Sequence, residues 1–423
     1  MKVFKFGGAS VKDAEAIINV GRILSLHKND KIIIVVSAMG KTTNLLERLI
    51  DAYWNEKEIK SVFEEFKVFH KTIINDLKLT NSTLLHTHFS DLEEKLHTNK
   101  SDNYNFEYDQ IICFGELLST SIIYEYLKEN DYNCGWFDAR QVITTNNKWR
   151  EAKVNWELTE QNYNTTVSTL FESHNILISQ GFIGGTENKS TTTLGREGSD
   201  FTASIFAYVG NAESVTIWKD VPGMLNADPR IFNGTVLLKQ ISFKEAIELA
   251  YYGASVIHPK TIQPLKNKEI PLFIKSFLKP LDDGTMIQSS MIYDSKIPSF
   301  IFKNKQVLLS LTPKDFSFVV EDNLKEIFSI LADLNIRINL MQNSAVSFSF
   351  LTDDTFDLDE LLSKLNTDYS VKYNNDVELL TVRHYNSQIL NKLSADKTVI
   401  LEQRSRQMAR LVLKPNKVSE SLN

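Results

Sequence analysis

The chain has little cysteine: Cys113 and Cys134 are its only two in 423 residues. That is too few for a disulfide framework or a four-thiolate zinc site, and their spacing matches no ligand pattern. Two buried thiols in a reducing compartment is the simplest reading. With 9 prolines and 16 glycines the chain is neither collagen-like nor of low complexity. Long apolar runs are also missing. The longest aliphatic run, Ile32 to Val36, is far too short to span a bilayer, and the opening MKVFKFGG lacks the apolar stretch of about 7–15 residues that marks an export signal. These absences point to a cytoplasmic protein with no membrane partner. Nor is there an excess of positive charge. The 47 basic and 53 acidic side chains give a formal charge of −6, which argues against a chain whose task is to neutralise nucleic-acid phosphates.

What is present is an ordinary globular composition, 42% apolar and 24% charged. At roughly 150 residues per domain, the length suggests two to three domains. Val3 to Phe6, Asp13 to Leu26 and Ile32 to Val36 read as strand, helix and strand, and the last of these is apolar on both faces, as in a parallel sheet covered by helices. Glycines follow the strands at Gly7–Gly8 and Gly40, and again at Gly181 and Gly184–Gly185 after Ile176 to Ser179. Ligands of open α/β sheets bind at such carboxyl ends. Residues 44–133 read as a helical insertion, with amphipathic stretches at Leu45 to Phe69 and Glu116 to Glu129. The α/β grammar resumes at Val215 to Trp218 and stops near 290. From Pro298 on, alternating strands around single helices predict small α+β units, and only the tail from Pro415 to Asn423 reads as disordered.

Four segments carry chemistry. KFGGAS (5–10) sets a lysine at a strand end, two glycines that permit close backbone approach to an anion, and a serine at a helix start. It is a phosphate cradle in form but no Walker A loop, because the position six residues before Lys41 is Val35. TTTLGREGSDFTAS (191–204) gathers hydroxyls, two glycines, an arginine and an acid before an apolar helix expected over Phe201 to Tyr208. Here Ser199 or Asp200 could simply cap the helix, and Arg196 could clamp a carboxylate with its planar fork. FGELLS (114–119) places Glu116 in a first helical turn, where an acid commonly just serves the helix dipole in solvent. WKDVPGMLNADPR (218–230) forms a proline-fixed loop suited to a nucleotide.

Together with ELAYYGASVIHPKTI (248–262), three of these segments, KFGGAS, 191–204 and 218–230, resemble the aspartate kinases of the amino-acid kinase superfamily, in the right order from residue 1 to about 290. The C-terminal texture resembles the tandem ACT domains that follow such kinases, and the chain stops too early for the homoserine dehydrogenase fused to some relatives. The resemblance implies an amino-acid kinase domain over 1–292, a mainly parallel sheet between helices, followed by an ACT-like region over 298–423. Its first unit would span about 306–373, and its second, shortened unit about 377–414, completed by a strand at 298–304.

The implied reaction is transfer of a phosphoryl group from ATP, with Mg²⁺, to the β-carboxylate of L-aspartate, the first step toward lysine, threonine and methionine. A carboxylate is already an anionic nucleophile, so catalysis reduces to positioning and charge cancellation. By family position, Lys5 would neutralise the transferred group and Asp200 would orient Lys5. Ser37, Thr43, Glu116, Phe182, Arg196 and Ser199 would line the amino-acid site. Lys5, Gly7, Gly8, Ser10, Lys219, Asp220, Asp228, Arg230 and Lys260 would surround the nucleotide. Lys219 stands where many relatives have threonine and Ser255 where many have lysine. No metal site built from protein ligands alone is expected. Asn339, Asn343 and Ser344 occupy effector-contacting positions, which implies inhibition by lysine or threonine and at least a homodimer through the ACT-like region. The alternatives are a kinase of the same fold acting on glutamate, acetylglutamate or a nucleoside monophosphate, or a non-catalytic amino-acid sensor. The sensor would be expected to lose Lys5, Glu116, Arg196 or Asp200.

Overall fold

A computed structural model describes residues 1–79, 83–254, 257–315 and 317–415. The chain divides into two compact units. The first holds Met1–Met224, Leu237–Ile247 and the described part of 255–293; the second holds Leu225–Val236, Glu248–Ala254 and the described residues from Asp294 on. The segments 225–236 and 248–254 therefore group with the second unit although they precede residue 292 in the chain.

In the first unit β-branched and aromatic strands assemble an eight-stranded sheet. Lys2–Phe6 lies at its centre, parallel to Ile32–Val36 on one side and to Ser214–Lys219 on the other. Ile176–Gln180 and Leu272–Ser276 extend the parallel core, and only Thr285–Gln288 runs against its neighbour Leu272–Ser276. Every residue of Ile32–Val36 is buried, as its two-sided apolarity requires. The helix expected from Asp13 is Ala14–Ser25, with Asp13 as its N-cap accepting from the Ala16 amide. The stretch expected as one long helix from Leu45 is two helices, Thr42–Trp54 and Lys60–Asp76, parted at 55–59 where Glu56 takes a left-handed φ of 55°. The helix of the 191–204 loop begins earlier than expected, as Gly198–Val209. Its N-cap is Glu197 at φ 53°, with no side-chain cap, so Ser199 and Asp200 lie inside the first turn.

The second unit is a six-stranded sheet. Two fifteen-residue strands, Ser299–Pro313 and Tyr369–Arg383, pair antiparallel from Ser299↔Arg383 to Pro313↔Tyr369. Helices Glu321–Asp333 and Leu358–Leu365 pack a core of Ile327, Leu331, Leu361 and Leu365 on Val307, Leu309 and Phe350. Helix Ser387–Ser394 packs Leu390 with Leu380, Val382 and Leu411 farther along. The α/β fold followed by α+β regulatory architecture agrees with the sequence-based expectation. The tail 416–423 lies outside the described residues.

Candidate active site

The register of the parallel strands sets the site. Phe6 pairs with both Val36 and Trp218, and Val36 pairs with Gln180, so four strands end level. The loops that follow them meet there. Gly8 is required at this junction: a Cβ on it would stand 2.8 Å from the Ala38 carbonyl oxygen, and the Gly40 amide donates to the Gly8 carbonyl at 3.0 Å.

Around these ends opens a cleft of about 780 Å³, lined by Lys5, Ser37, Thr43, Glu116, Phe182, Arg196, Ser199, Asp200 and Lys219 among others. These nine are all predicted site residues, brought together from six separate stretches of chain. The buried Lys5 ammonium lies 2.7 Å from Asp200 Oδ1, and Lys219 Nζ lies 3.8 Å from Asp200 Oδ2. Phe182 takes a left-handed φ of 71°, and its amide donates to Thr202 Oγ1 at 2.9 Å, which fixes the ring beside the helix 198–209. The first turn of that helix presents Gly198, Ser199 and Asp200 to the cleft.

Glu116 is not a solvated first-turn acid. It is buried, its Oε1 accepts from the Ala38 amide at 3.1 Å, and burial pushes its carboxyl up to about 8 against the pull of that amide and of Lys5. That shift favours the neutral carboxyl near pH 7.

Other predicted residues are not among those lining this cleft. A Cβ on Gly7 would stand 3.3 Å from Lys5 Nζ, so Gly7 borders the lysine directly. Ser10 is buried, and its hydroxyl donates to the Trp218 carbonyl at 3.3 Å, which ties two loops together rather than facing the cleft. Asp220 is exposed just past the strand end. Lys260 faces a neighbouring cleft of about 880 Å³ that shares Glu151, Gly195 and Arg196 with the first. Its ammonium donates to the Leu194 carbonyl at 2.7 Å and lies 4.7 Å from the Phe201 ring centre. Asp228 and Arg230, in the second unit, form a fork-to-fork pair with each other, 2.7 Å between Arg230 Nη2 and Asp228 Oδ2. Ser255 lies outside the described residues.

In the second unit Asn339 is already engaged, accepting from Lys303 Nζ at 2.8 Å and donating to Gln306 Oε1 at 2.7 Å. Asn343 is exposed at the end of strand Ile338–Asn343. Ser344 closes a turn with Ser347, whose amide donates to Ser344 Oγ at 3.1 Å.

Residues not singled out from the sequence also line the cleft: Asn105, Tyr108, Trp149, Arg150, Glu151, Thr193 and Glu197. Behind them the buried Asp109 accepts from the Arg150 amide at 2.9 Å, the Thr193 amide at 3.0 Å and the Thr193 hydroxyl at 2.8 Å. One signal could have found it. Asp109 precedes Glu116 by seven residues in the run DQIICFGE with no basic neighbour between them, although the two stand on separate helices, Tyr104–Ile112 and Phe114–Glu129.

Residues 1–276 match the family model described as the amino acid kinase family. The lysine-sensitive aspartokinase 3 of Escherichia coli (strain K12) is 32% identical over 359 residues, covering 84% of this chain and 78% of that relative. The solved structure of E. coli aspartokinase III in complex with lysine and aspartate superposes with a TM-score of 0.83 at 27% identity, covering 98% of this chain and 96% of that one. The same enzyme in complex with aspartate and ADP gives 0.77 at 26%, with the same coverage. The chain belongs to the amino acid kinase family and, within it, to the aspartokinases. Its reaction is phosphorylation of the L-aspartate β-carboxylate to 4-phospho-L-aspartate, at the head of lysine, threonine and methionine synthesis.

Proposed function

We propose that the 780 Å³ cleft carries out this transfer with ATP as donor, and that each predicted residue lining it acts as follows. The convergence of nine residues, Lys5 through Lys219, on one cleft carries the assignment. The aspartate ammonium sits on Glu116, whose buried carboxyl gives up its proton to water as the cation arrives. The α-carboxylate lies on Arg196, with hydroxyls of Ser37, Thr43 and Ser199 and the Phe182 ring around the side chain. A β-carboxylate oxygen then attacks the γ-phosphorus in line; the new O–P bond forms as the bond to the bridging oxygen breaks, and ADP leaves with the electron pair. No general base is required. Lys5 meets the charge that grows on the transferred oxygens, the Gly7–Gly8 backbone borders them, and Asp200 holds Lys5 in place. Lys219, the second cation on Asp200, reaches toward the same phosphates.

The ADP complex of the E. coli enzyme supports the nucleotide assignment. Among the described residues no three acidic, histidine or cysteine side chains gather into a metal cage. Asp220, the exposed carboxylate just past the strand end, would hold an ion that keeps most of its waters and arrives with the triphosphate. When bound, Mg²⁺ supplies neutralisation of phosphate charge. The second unit is proposed to bind an inhibitory amino acid near Asn339, Asn343 and Ser344, as the lysine complex of the E. coli enzyme suggests, and to join two chains. Two buried free cysteines fit a reducing, cytoplasmic setting.

A coupled ADP-release assay with L-aspartate, L-glutamate and UMP, trapping acyl phosphate with hydroxylamine, tests the assignment. Turnover and hydroxamate are expected with aspartate alone; comparable turnover with either rival substrate overturns it.

A further inference from the structure

Arg150 is a long β-carbon-bearing residue held at φ 67°, in the left-handed region where glycine is the usual occupant. Such a backbone is unfavourable for a residue other than glycine, and residues of this kind cluster where a site needs them. The surroundings say what it is held for. Its amide donates to the buried Asp109, the same carboxylate that takes the Thr193 amide and hydroxyl. Thr193 leads through Leu194 and Gly195 to Arg196. At Gly195, φ 75°, a Cβ would stand 3.2 Å from the Arg150 carbonyl oxygen, so the two arginine-bearing segments touch backbone to backbone. The Arg150 guanidinium lies 4.2 Å from the Tyr108 ring centre, and the Tyr108 hydroxyl donates to Glu47 at 3.0 Å. Arg150, Tyr108 and Arg196 all line the 780 Å³ cleft. Two arginines therefore line one cleft, the Arg150 guanidinium laid on an aromatic face, and the backbone segments that carry them are tied to one buried carboxylate through the Arg150 amide and Thr193.

We infer that Arg150 is a second substrate-binding arginine, which with Arg196 clamps the α-carboxylate of the amino-acid substrate, and that Asp109 is the positioning residue holding the two segments in register. This rests on the aspartate-kinase reading above. The substrate is a dicarboxylate with one ammonium. Lys5 and the nucleotide claim one carboxylate and Glu116 the ammonium, so the remaining carboxylate is the group left for a cationic rim. Because a carboxylate has two oxygens and about four acceptor directions, it can take a planar fork from each side. The contact exists in ground and transition states alike, so it acts on KM rather than kcat.

The test uses Arg150→Gly and Arg150→Lys in the full chain. Glycine suits the left-handed backbone, so the fold is spared while the guanidinium is removed. Arg150→Gly is expected to raise the KM for aspartate about tenfold, as for loss of one charge-assisted hydrogen bond at a partly solvated rim, with the KM for ATP and kcat each within twofold and the melting temperature within a few degrees. Arg150→Lys should fall between, keeping the charge and losing the fork. Asp109→Asn should raise the aspartate KM in the wild-type background and add less when Arg150 is already glycine. An unmoved aspartate KM in Arg150→Gly, or equal rises for both substrates, overturns the inference while leaving the kinase reading intact. Wild-type protein that phosphorylates no aspartate overturns both.

Discussion

The Lys5 ammonium stands 2.7 Å from one oxygen of the Asp200 carboxylate, and both side chains are buried. The pair joins the central strand Lys2–Phe6 to the first turn of Gly198–Val209, so the charge at the reaction centre is held by the sheet and by a helix at once. Breaking a buried pair by removing one partner typically costs about 3–5 kcal/mol, because the other charge stays behind. Lys219, 3.8 Å from the second oxygen, moderates that cost.

Lys5→Met is accordingly expected to lower kcat by at least about 10²–10³-fold, the usual loss of one preorganised charge contact. It should also lower the melting temperature, and the double variant Lys5→Met/Asp200→Asn should regain part of that loss without regaining turnover. Coupled kinetics and thermal melts check both; a single variant keeping a tenth of wild-type kcat contradicts the role given to Lys5.

The raised carboxyl of Glu116, with its proposed place at the substrate ammonium, predicts that aspartate affinity depends on pH. Its folded-state pKa, about 8, lies above the ordinary 4.5, so the folded protein binds the extra proton between those values. The stability this proton brings is complete below about 4.5 and is lost as pH rises through 8. Glu116→Gln should flatten that slope and make the empty protein relatively more stable at pH 8 than at pH 5. Wild-type aspartate binding should release protons at pH 7, seen as a buffer-dependent calorimetric enthalpy, and the variant should release none. A buffer-independent enthalpy in the wild type would remove Glu116 from the ammonium site.

Lys260, expected near the nucleotide, donates to the Leu194 carbonyl two residues before Arg196, and that contact predicts an effect on the aspartate side. Lys260→Met is expected to raise the aspartate KM several-fold with little change for ATP, in the same direction as Arg196→Ala and smaller. A selective rise in the ATP KM would return Lys260 to the nucleotide.

In the second unit Lys303 already occupies the Asn339 amide oxygen, so an effector with a cationic side chain meets like charge there. Lys303→Met should lower the lysine concentration for half inhibition several-fold and leave threonine unaffected, while Asn343→Ala should weaken either. Calorimetry with lysine, threonine and methionine reads this directly. If none binds at millimolar concentration, the second unit has no effector site of this kind.

The parallel sheet was legible because buried strands such as Ile32–Val36 are apolar on both faces and end at glycines, which few other structures explain. The KFGG and GREGSD segments were legible because each concentrates several uncommon residue types. What stayed hidden depends on long-range contact. Nothing local tells that Ser10 turns to the Trp218 carbonyl or that Lys260 turns to Leu194, because a hydroxyl or an ammonium near a site looks the same whichever carbonyl or ligand it meets. The rim formed by Tyr108, Trp149 and Arg150 lies in segments that read as plain helix and loop, and only folding brings them to Thr193 and Gly195. Glu116 was found, but its burial was not, since a first-turn glutamate needs a neighbouring segment such as Ala38 to cover it.

The paired strands Ser299–Pro313 and Tyr369–Arg383 each extend about 50 Å at ~3.3 Å per residue. Each serves the helices Glu321–Asp333 and Leu358–Leu365 with one end and Ser387–Ser394 with the other. They form a spine shared by both halves of the second unit. The ladder is interrupted once, where the register shifts between Lys303 and Leu308, so the ribbon is two paired stretches joined at an irregularity. Cutting the chain before Tyr369 would strip the partner from Ser299–Pro313 along nearly its whole length, exposing a long sticky edge in place of a smaller working domain.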